Sequence, residues 1–249
     1  MMTSDEIHEY YRSSFDNRSY SRYFSIANNI LSNINIDCDS NVLDYGCGTG
    51  ILSHYLYEKY GCNVDAVDIS KEEVQNAESA WKDDGIRWIV MENFDFPLEK
   101  YDIIISSQVI EHVHNVGNYL CRINAMLKQD GKLIIGLPNN LNFRFLYTQW
   151  KASNKLLGGV NQKILACYDK GMDHINAWDS VHFVTLLASC GFEMIDYLPT
   201  EGVAIPFLHF MHRKIGYLDK RNRGFFKNFC YTMHYTFKKV KYVKINDYD

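Results

Sequence analysis

The sequence predicts an α/β fold: a doubly wound, mostly parallel sheet with helices on both faces, an N-terminal helical cap and a C-terminal extension. Two observations predict it. Short β-branched runs alternate with helix-length amphipathic runs from Asn41 to Pro138, and the pattern loosens beyond Asn139; this is the order that builds a parallel sheet. The strand-like runs are also apolar almost throughout, as strands covered on both faces must be.

The elements follow in order. "NVLDYG" (41–46), "NVDAVDIS" (63–70), "IRWIVMEN" (86–93), "YDIIISS" (101–107) and "GKLIIGLP" (131–138) read as five strands. Between them "ILSHYLYEKYG" (51–61), "SKEEVQNAESAWKDDG" (70–85) and "NVGNYLCRINAMLKQDG" (115–131) read as helices, each with a glycine just past its end. Ser70 and Glu73 form a capping box that starts the second of them. "NAWDSVHFVTLLASCGF" (176–192) restores a helical pattern, stopped by Gly191 and followed by a strand at "FEMIDYL".

Residues 1–40 are taken as the helical cap and 41–200 as the core, with a substrate-side insertion at about 139–177. Residues 201–249 are taken as a basic, aromatic extension.

Composition bounds the function. The start, "MMTSDEIHEYYR", is acidic and polar where a secretory signal is basic and then apolar, and no apolar run approaches the roughly 18 residues of a membrane span. A cytoplasmic protein is expected. Seven cysteines are scattered without a C-x-x-C pair, which fits reduced thiols and argues against a disulfide framework or a zinc knuckle.

The net charge of −4 conceals a division. Residues 211–245 carry ten Lys or Arg against Asp219 alone, a charge of +9, and the rest of the chain carries −13. Aromatic residues interleave with the cations. The combination suits an anionic partner: a phosphate-bearing acceptor, an anionic membrane surface touched from outside, or nucleic acid. The segment after the fourth strand reads "SSQV" and lacks an Asn/Asp-Pro-Pro-aromatic motif, which argues against nucleic acid.

The stretch "VLDYGCGTG" carries most of the functional information. Gly46, Gly48 and Gly50 bring the chain from the first strand into a helix, at the sheet edge where such folds bind ligands. Three glycines there leave a backbone open to close approach. The spacing G-x-G-x-G is not the dinucleotide G-x-G-x-x-G, and no Gly-Lys-Ser/Thr follows to make a phosphate loop. Asp68 ends the second strand, 22 positions after Gly46, where a carboxylate accepts hydrogen bonds from both hydroxyls of a ribose.

These motifs, with "VDIS", "YDIIISSQVIEHV" and "LKQDGKLIIGLPN", resemble the class I S-adenosylmethionine-dependent methyltransferases. The likeness is strongest to the group related to ubiquinone-biosynthesis O-methyltransferases and to small-molecule and sugar methyltransferases. It covers Asn41 to Pro138 and implies a Rossmann-like sheet, S-adenosylmethionine as cofactor and S-adenosylhomocysteine as product. By that resemblance Asp44, Gly46, Gly48 and Gly50 would hold the methionine portion of the cofactor. Asp68 would hold the ribose, with Ile69 beside it. Asn93 and Phe94 would flank the adenine, and Ser107 and Gln108 would lie beneath the sulfonium. The loop "ENFDFP" departs from the family by its shortness and by Asn93 where aspartate is frequent.

Methyl transfer from a sulfonium needs alignment and often a base for the acceptor's proton. His112, after the fourth strand, and His174, in "MDHINAWD", are the two candidate bases. Ordinary packing or capping roles are the competing reading for both. Zinc is not expected, while Glu111 leaves Mg²⁺ open. The expected reaction is O-methylation of a sugar or other phosphate-linked precursor. The alternatives are a quinone, phenol or lipid acceptor at a membrane surface, or a non-catalytic cofactor-binding scaffold.

Overall fold

The computed structural model describes residues 27, 28, 30–81, 85–141, 146, 175–203 and 230–243. Within them seven strands form one sheet in the order β3-β2-β1-β4-β5-β7-β6. β1 (Asn41–Tyr45), β2 (Asn63–Asp68), β3 (Ile86–Val90), β4 (Tyr101–Ser107) and β5 (Leu127–Pro138) run parallel. β6 (Phe192–Val203) and β7 (Cys230–Lys239) complete the sheet, β7 antiparallel to both β5 and β6. The expected doubly wound, Rossmann-like sheet is present, and its strand order reverses between β1 and β4. That reversal opens a crevice at the carboxyl ends of the two strands.

Helices α1 (Ile51–Tyr60), α2 (Lys71–Ala80), α3 (Val116–Met126) and α4 (Ser180–Ser189) cover the sheet. On one face Leu52 and Leu56 of α1 join Ala27, Leu31 and Ile34 over Val42, Ile103 and Ile105. On the other, Leu120 and Ile123 of α3 and Phe183 and Leu187 of α4 pack over Leu43, Ile104 and Leu133. Central strands buried on both sides explain their near-continuous apolar sequence.

Several boundaries differ from the sequence reading. α3 ends at Met126 and β5 begins at Leu127, because Leu127 pairs with Tyr101 of β4. α2 stops at Ala80. Trp81 leaves the helix to donate its indole N–H to Thr49 O at 2.8 Å and to stack on His54 at 4.2 Å.

The largest difference is β7, which sequence alone assigns to the C-terminal extension. It lies in the sheet between β5 and β6, so the sheet is not complete at residue 200. Met233, Tyr235 and Phe237 are buried at alternate positions, the period of a strand with a covered face. Two of the basic residues serve this strand. Lys239 is fully buried with Nζ donating to Leu127 O at 2.7 Å, and Lys238 pairs with Asp130 at 2.8 Å. Lys220, Arg221 and Arg223 lie outside the described residues, as does most of the expected helical cap. No helix among the described residues is long and apolar enough to cross a membrane.

Candidate active site

The chain leaves β1 through Gly46, whose N–H and that of Cys47 both donate to Val67 O on β2, at 2.7 and 3.0 Å. Gly46, Gly48 and Gly50 have φ of +94°, +48° and +74°, a region L-residues enter at a cost. Their surroundings differ. A Cβ on Gly46 would meet Val109 Cγ2 at 2.3 Å, and one on Gly50 would meet the Trp88 ring at 2.5 Å, so both are set by packing. A Cβ on Gly48 would meet nothing within 4 Å. That open space above a bare backbone is what an approaching ligand requires.

Asp68 stands beside it at the end of β2. Its Oδ2 accepts from Gly48 N–H and its Oδ1 from Ser70 N–H, each at 2.8 Å. The aspartate thus shapes the glycine turn and caps the approach to α2, while each oxygen keeps a second lone pair for a ligand hydroxyl. The Ser70 cap is present, its hydroxyl accepting from Glu73 N–H at 3.2 Å. Ile69, next in sequence, is 84% exposed, an apolar side chain offered at the rim.

Asp44 lies beneath the turn, 2% exposed, and accepts from Ser53 Oγ at 2.7 Å. Burial pushes its pKa up to about 7, with Asp68 adding to the rise and the Ser53 bonds opposing it. A buried carboxylate in this state is poised for a cationic neighbour.

At the end of β4 Ser107 borders a small apolar pocket, lined also by Leu31, Leu52, Ile105 and His234. Gln108 takes φ +59° and donates its N–H to Gly136 O at 2.8 Å. A left-handed conformation costs a non-glycine residue, and the main-chain bond to Gly136 holds it there.

The two residues expected at the adenine differ in exposure. Asn93 is exposed on the short turn Met91–Asn93, but Phe94 is 5% exposed and packs in the core with Tyr45 and Phe96. His112 is exposed on the turn Ile110–His112 after β4, and His174 lies outside the described residues.

Sequence reasoning misses several residues. Trp81 and Trp88 fix the Thr49–Gly50 end of the turn, and His234 of β7 sits over Gly136, with Nε2 and Ser107 Oγ 2.8 and 2.9 Å from where a Cβ would be. Apolar surroundings lower the His234 pKa to about 4, so its imidazole is neutral near pH 7. Its place in the period-two aromatic run of β7 is the signal that could have found it.

A family model described as a methyltransferase domain matches residues 18–197. The chain belongs to this methyltransferase family. With that membership, the motif resemblance to class I S-adenosylmethionine-dependent methyltransferases holds, and S-adenosylmethionine is the cofactor the turn fits.

Curated relatives include the malonyl-[acyl-carrier protein] O-methyltransferase of Acetivibrio thermocellus, 24% identical over 56% of this chain and 52% of the relative. The ubiquinone biosynthesis O-methyltransferase of Bradyrhizobium diazoefficiens is 35% identical over 39% of this chain and 40% of the relative. The chain thus spans about half or less of the length of these relatives.

Among solved structures, a chain from the complex of the Haloferax volcanii Trm112 methyltransferase activator with a methyltransferase superposes with a TM-score of 0.65. It is 16% identical, covering 95% of this chain and 98% of that one. The Burkholderia thailandensis 1,6-didemethyltoxoflavin-N1-methyltransferase, solved with 1,6-didemethyltoxoflavin and S-adenosylhomocysteine, gives 0.56 at 17% identity, covering 96% and 87%. At these identities the likeness concerns the fold.

Proposed function

We propose that the chain methylates a hydroxyl oxygen of a small molecule. The open, ligand-accessible Gly48 backbone beside Asp68, at the reversal of strand order, carries this reading. S-adenosylmethionine, when bound, supplies a methyl group already activated by a cationic sulfur. In this reading Asp44 faces the cofactor's cationic methionine portion over the Gly46–Gly50 turn, and Asp68 accepts from the ribose hydroxyls. Ile69 and Asn93 border the adenine. Ser107 and Gln108 form the floor of the crevice.

The protein's part in such a reaction is alignment, which contributes up to roughly 7–11 kcal/mol, and handling of the acceptor's proton. His112 is the described candidate for that proton, and His174 the second. Mg²⁺ has no assigned part.

A sugar-type acceptor draws support from the polar side chains Glu111, Asn139, Asn140 and Asn176 gathered beyond β4 and β5. The phosphate link rests on the charge of residues 211–245 alone, since Lys238 and Lys239 are engaged in the fold. A quinone or phenol acceptor is the second reading, favoured by the apolar cavity at Ser107 and by what the ubiquinone relatives are named for.

Mass spectrometry tests both. The protein and S-adenosylmethionine are incubated with nucleotide sugars, quinone precursors and phenols, and products are scored for the gain of one CH₂ in mass. A gain on an oxygen of either class supports the reading, and which class gains decides between them. Cofactor binding with no gain on any acceptor would shift weight to a non-catalytic scaffold.

A further inference from the structure

One row of residues crosses three strands at the end of the sheet. Ser107 of β4 sits opposite Gly136 of β5, and Gly136 sits opposite His234 of β7. Ser107 is the last residue of β4, so the row lies at the carboxyl edge, beside the crevice where the strand order reverses.

The bare Gly136 decides how its two neighbours lie. A Cβ there would meet His234 Cδ2 at 2.7 Å, His234 Nε2 at 2.8 Å and Ser107 Oγ at 2.9 Å. The imidazole therefore lies over the main chain of β5, in space that any other residue at 136 would fill, and stands beside the Ser107 hydroxyl. Gln108 N–H donates to Gly136 O at 2.8 Å and turns the chain after β4 back onto β5 at this place.

His234 and Ser107 give the small pocket at the end of β4 its polar wall. Every other described residue of the lining is glycine, alanine, leucine or isoleucine. Among these described residues there is no carboxylate to meet a cation, and His234, neutral near pH 7, offers no charge to an anion. A hydroxyl fits the two polar groups. It both donates and accepts, as Ser107 Oγ does, and an imidazole with its proton on Nδ1 accepts at Nε2. Nε2 and Oγ each lie within 2.9 Å of one point, so a single hydroxyl in front of Gly136 is within hydrogen-bond reach of both.

We propose that His234 and Ser107 hold the hydroxyl of the acceptor that is to be methylated, its O–H donating to His234 Nε2 and its oxygen accepting from Ser107 Oγ. The oxygen keeps one lone pair for the incoming methyl group. The pocket is small, so it takes the hydroxyl and the carbon that bears it, and the body of the acceptor lies outside. The exposed His112 is not part of this lining. The proposal rests on the methyltransferase reading in calling the hydroxyl the acceptor's; hydroxyl binding at His234 does not need that reading. A phenol and a sugar both offer the group.

The test is NMR of the full chain carrying isotope-labelled histidine, in the presence of S-adenosylhomocysteine, whose affinity is measured by calorimetry on every protein. Phenol, anisole and methyl α-D-glucopyranoside are titrated in turn, and the signals absent from His234→Gln identify the His234 ring. The expected result is a saturable shift of the His234 nitrogens by phenol or by the glucoside, and which of them acts decides the source. Anisole, which lacks the O–H, should bind at least about fivefold more weakly than phenol, the scale of one hydrogen bond. His234→Phe keeps a ring and removes both nitrogens, and should weaken the same ligand by about fivefold or more. His234→Gln, whose amide oxygen still accepts, should recover part of that loss. S-adenosylhomocysteine affinity should be unchanged in both.

Should His234→Phe fail to fold, Ser107→Ala carries the test, since it removes only the second partner of the same hydroxyl and should weaken the ligand by a similar factor. Three results would overturn the proposal: no binding of either hydroxyl compound, which would leave the pocket to water; shifts confined to other histidines; or equal binding by the parent and His234→Phe. Failure of the parent to bind S-adenosylhomocysteine, with phenol or glucoside binding intact, would instead count against the cofactor reading.

Discussion

Replacing Asp44 by Asn removes a carboxyl that is almost wholly buried beneath the glycine turn and keeps an oxygen for Ser53 Oγ, which donates to it at 2.7 Å. In the folded parent the pKa of Asp44 rises from 3.8 to about 7, chiefly because burial disfavours the charge. In the unfolded chain the group ionises near its ordinary value. Between those two pH values the folded state holds a proton that the unfolded state has lost. Stability from this group is therefore full below about pH 4 and is lost as pH rises through about 7. The slope is at most ~1.4 kcal/mol per pH unit, and the whole loss is on the order of 4 kcal/mol.

The substituted amide has no proton to lose. Urea unfolding measured from about pH 5 to pH 8 should show the parent's stability falling by roughly 2–3 kcal/mol, the part of the loss that lies in that range, while Asp44→Asn stays nearly level and is the more stable protein at the alkaline end. Cofactor binding should move the other way. A cation beside the carboxylate favours ionised Asp44, so the parent should bind S-adenosylmethionine more tightly at pH 8 than at pH 5, and Asp44→Asn should bind weakly with little pH dependence. Equal slopes of stability against pH in the two proteins would show that Asp44 is not the titrating group, and the reasoning would fail.

The remaining predictions probe the same turn and its surroundings. Gly48→Ala should cost only the ~1–2 kcal/mol of a left-handed residue, yet lower S-adenosylmethionine affinity by more than about tenfold, because its methyl enters space open to the ligand. Gly50→Ala adds a clash with Trp88 at 2.5 Å and should lose a further ~1–3 kcal/mol in thermal unfolding; equal stability of the two variants would contradict the distinction. Asp68→Ala should weaken cofactor binding by roughly 10- to 100-fold in calorimetry, and full affinity would reduce Asp68 to a cap for Ser70. His112→Ala should slow turnover by ~10²–10⁴ with cofactor affinity unchanged, and undiminished turnover would remove it from the chemistry.

Much of this architecture is legible in the sequence because it is local. β1 to β4, α1 and the glycine turn each declare themselves by a period or a spacing within a dozen residues. Gly61, for example, ends α1 in the left-handed conformation with φ +64° that such a stop requires.

What the sequence hides is set by distant partners. Trp81 fits a helix by pattern, but Thr49 O and His54 draw it away. Phe94, which motif resemblance sets beside an adenine, is buried against Tyr45 and Phe96, contacts from distant or neighbouring turns that its local sequence does not announce. β7 is obscured by its own charge: "TMHYTFKK" alternates buried apolar residues, but the surrounding lysines and arginines give it the look of a solvated tail. A lysine as deeply buried as Lys239 is rare unless paired, and its partner, Leu127 O, lies on the strand it pairs beside.

The same dependence on distant partners decides the buried polar groups. Elsewhere this protein takes trouble over its buried polar groups. Asp65 receives Arg87 Nη2 at 2.7 Å, Lys100 Nζ at 2.6 Å and Tyr101 OH at 2.5 Å. Asn124 donates to both Cys190 O and Lys241 O, at 3.0 and 2.8 Å, and Ser106 pairs with Tyr119 OH at 2.6 Å. Among the described residues the remaining unpaired buried atoms are single ones, Glu73 Oε2 and Asn118 Oδ1. An unsatisfied buried polar group costs ~1–3 kcal/mol, and more when charged. A fold that pairs Asp65 three ways leaves both Glu111 oxygens without a partner, so burial there raises the pKa of Glu111 and favours its neutral acid, while the partners of Asp65 hold its pKa low against the same burial.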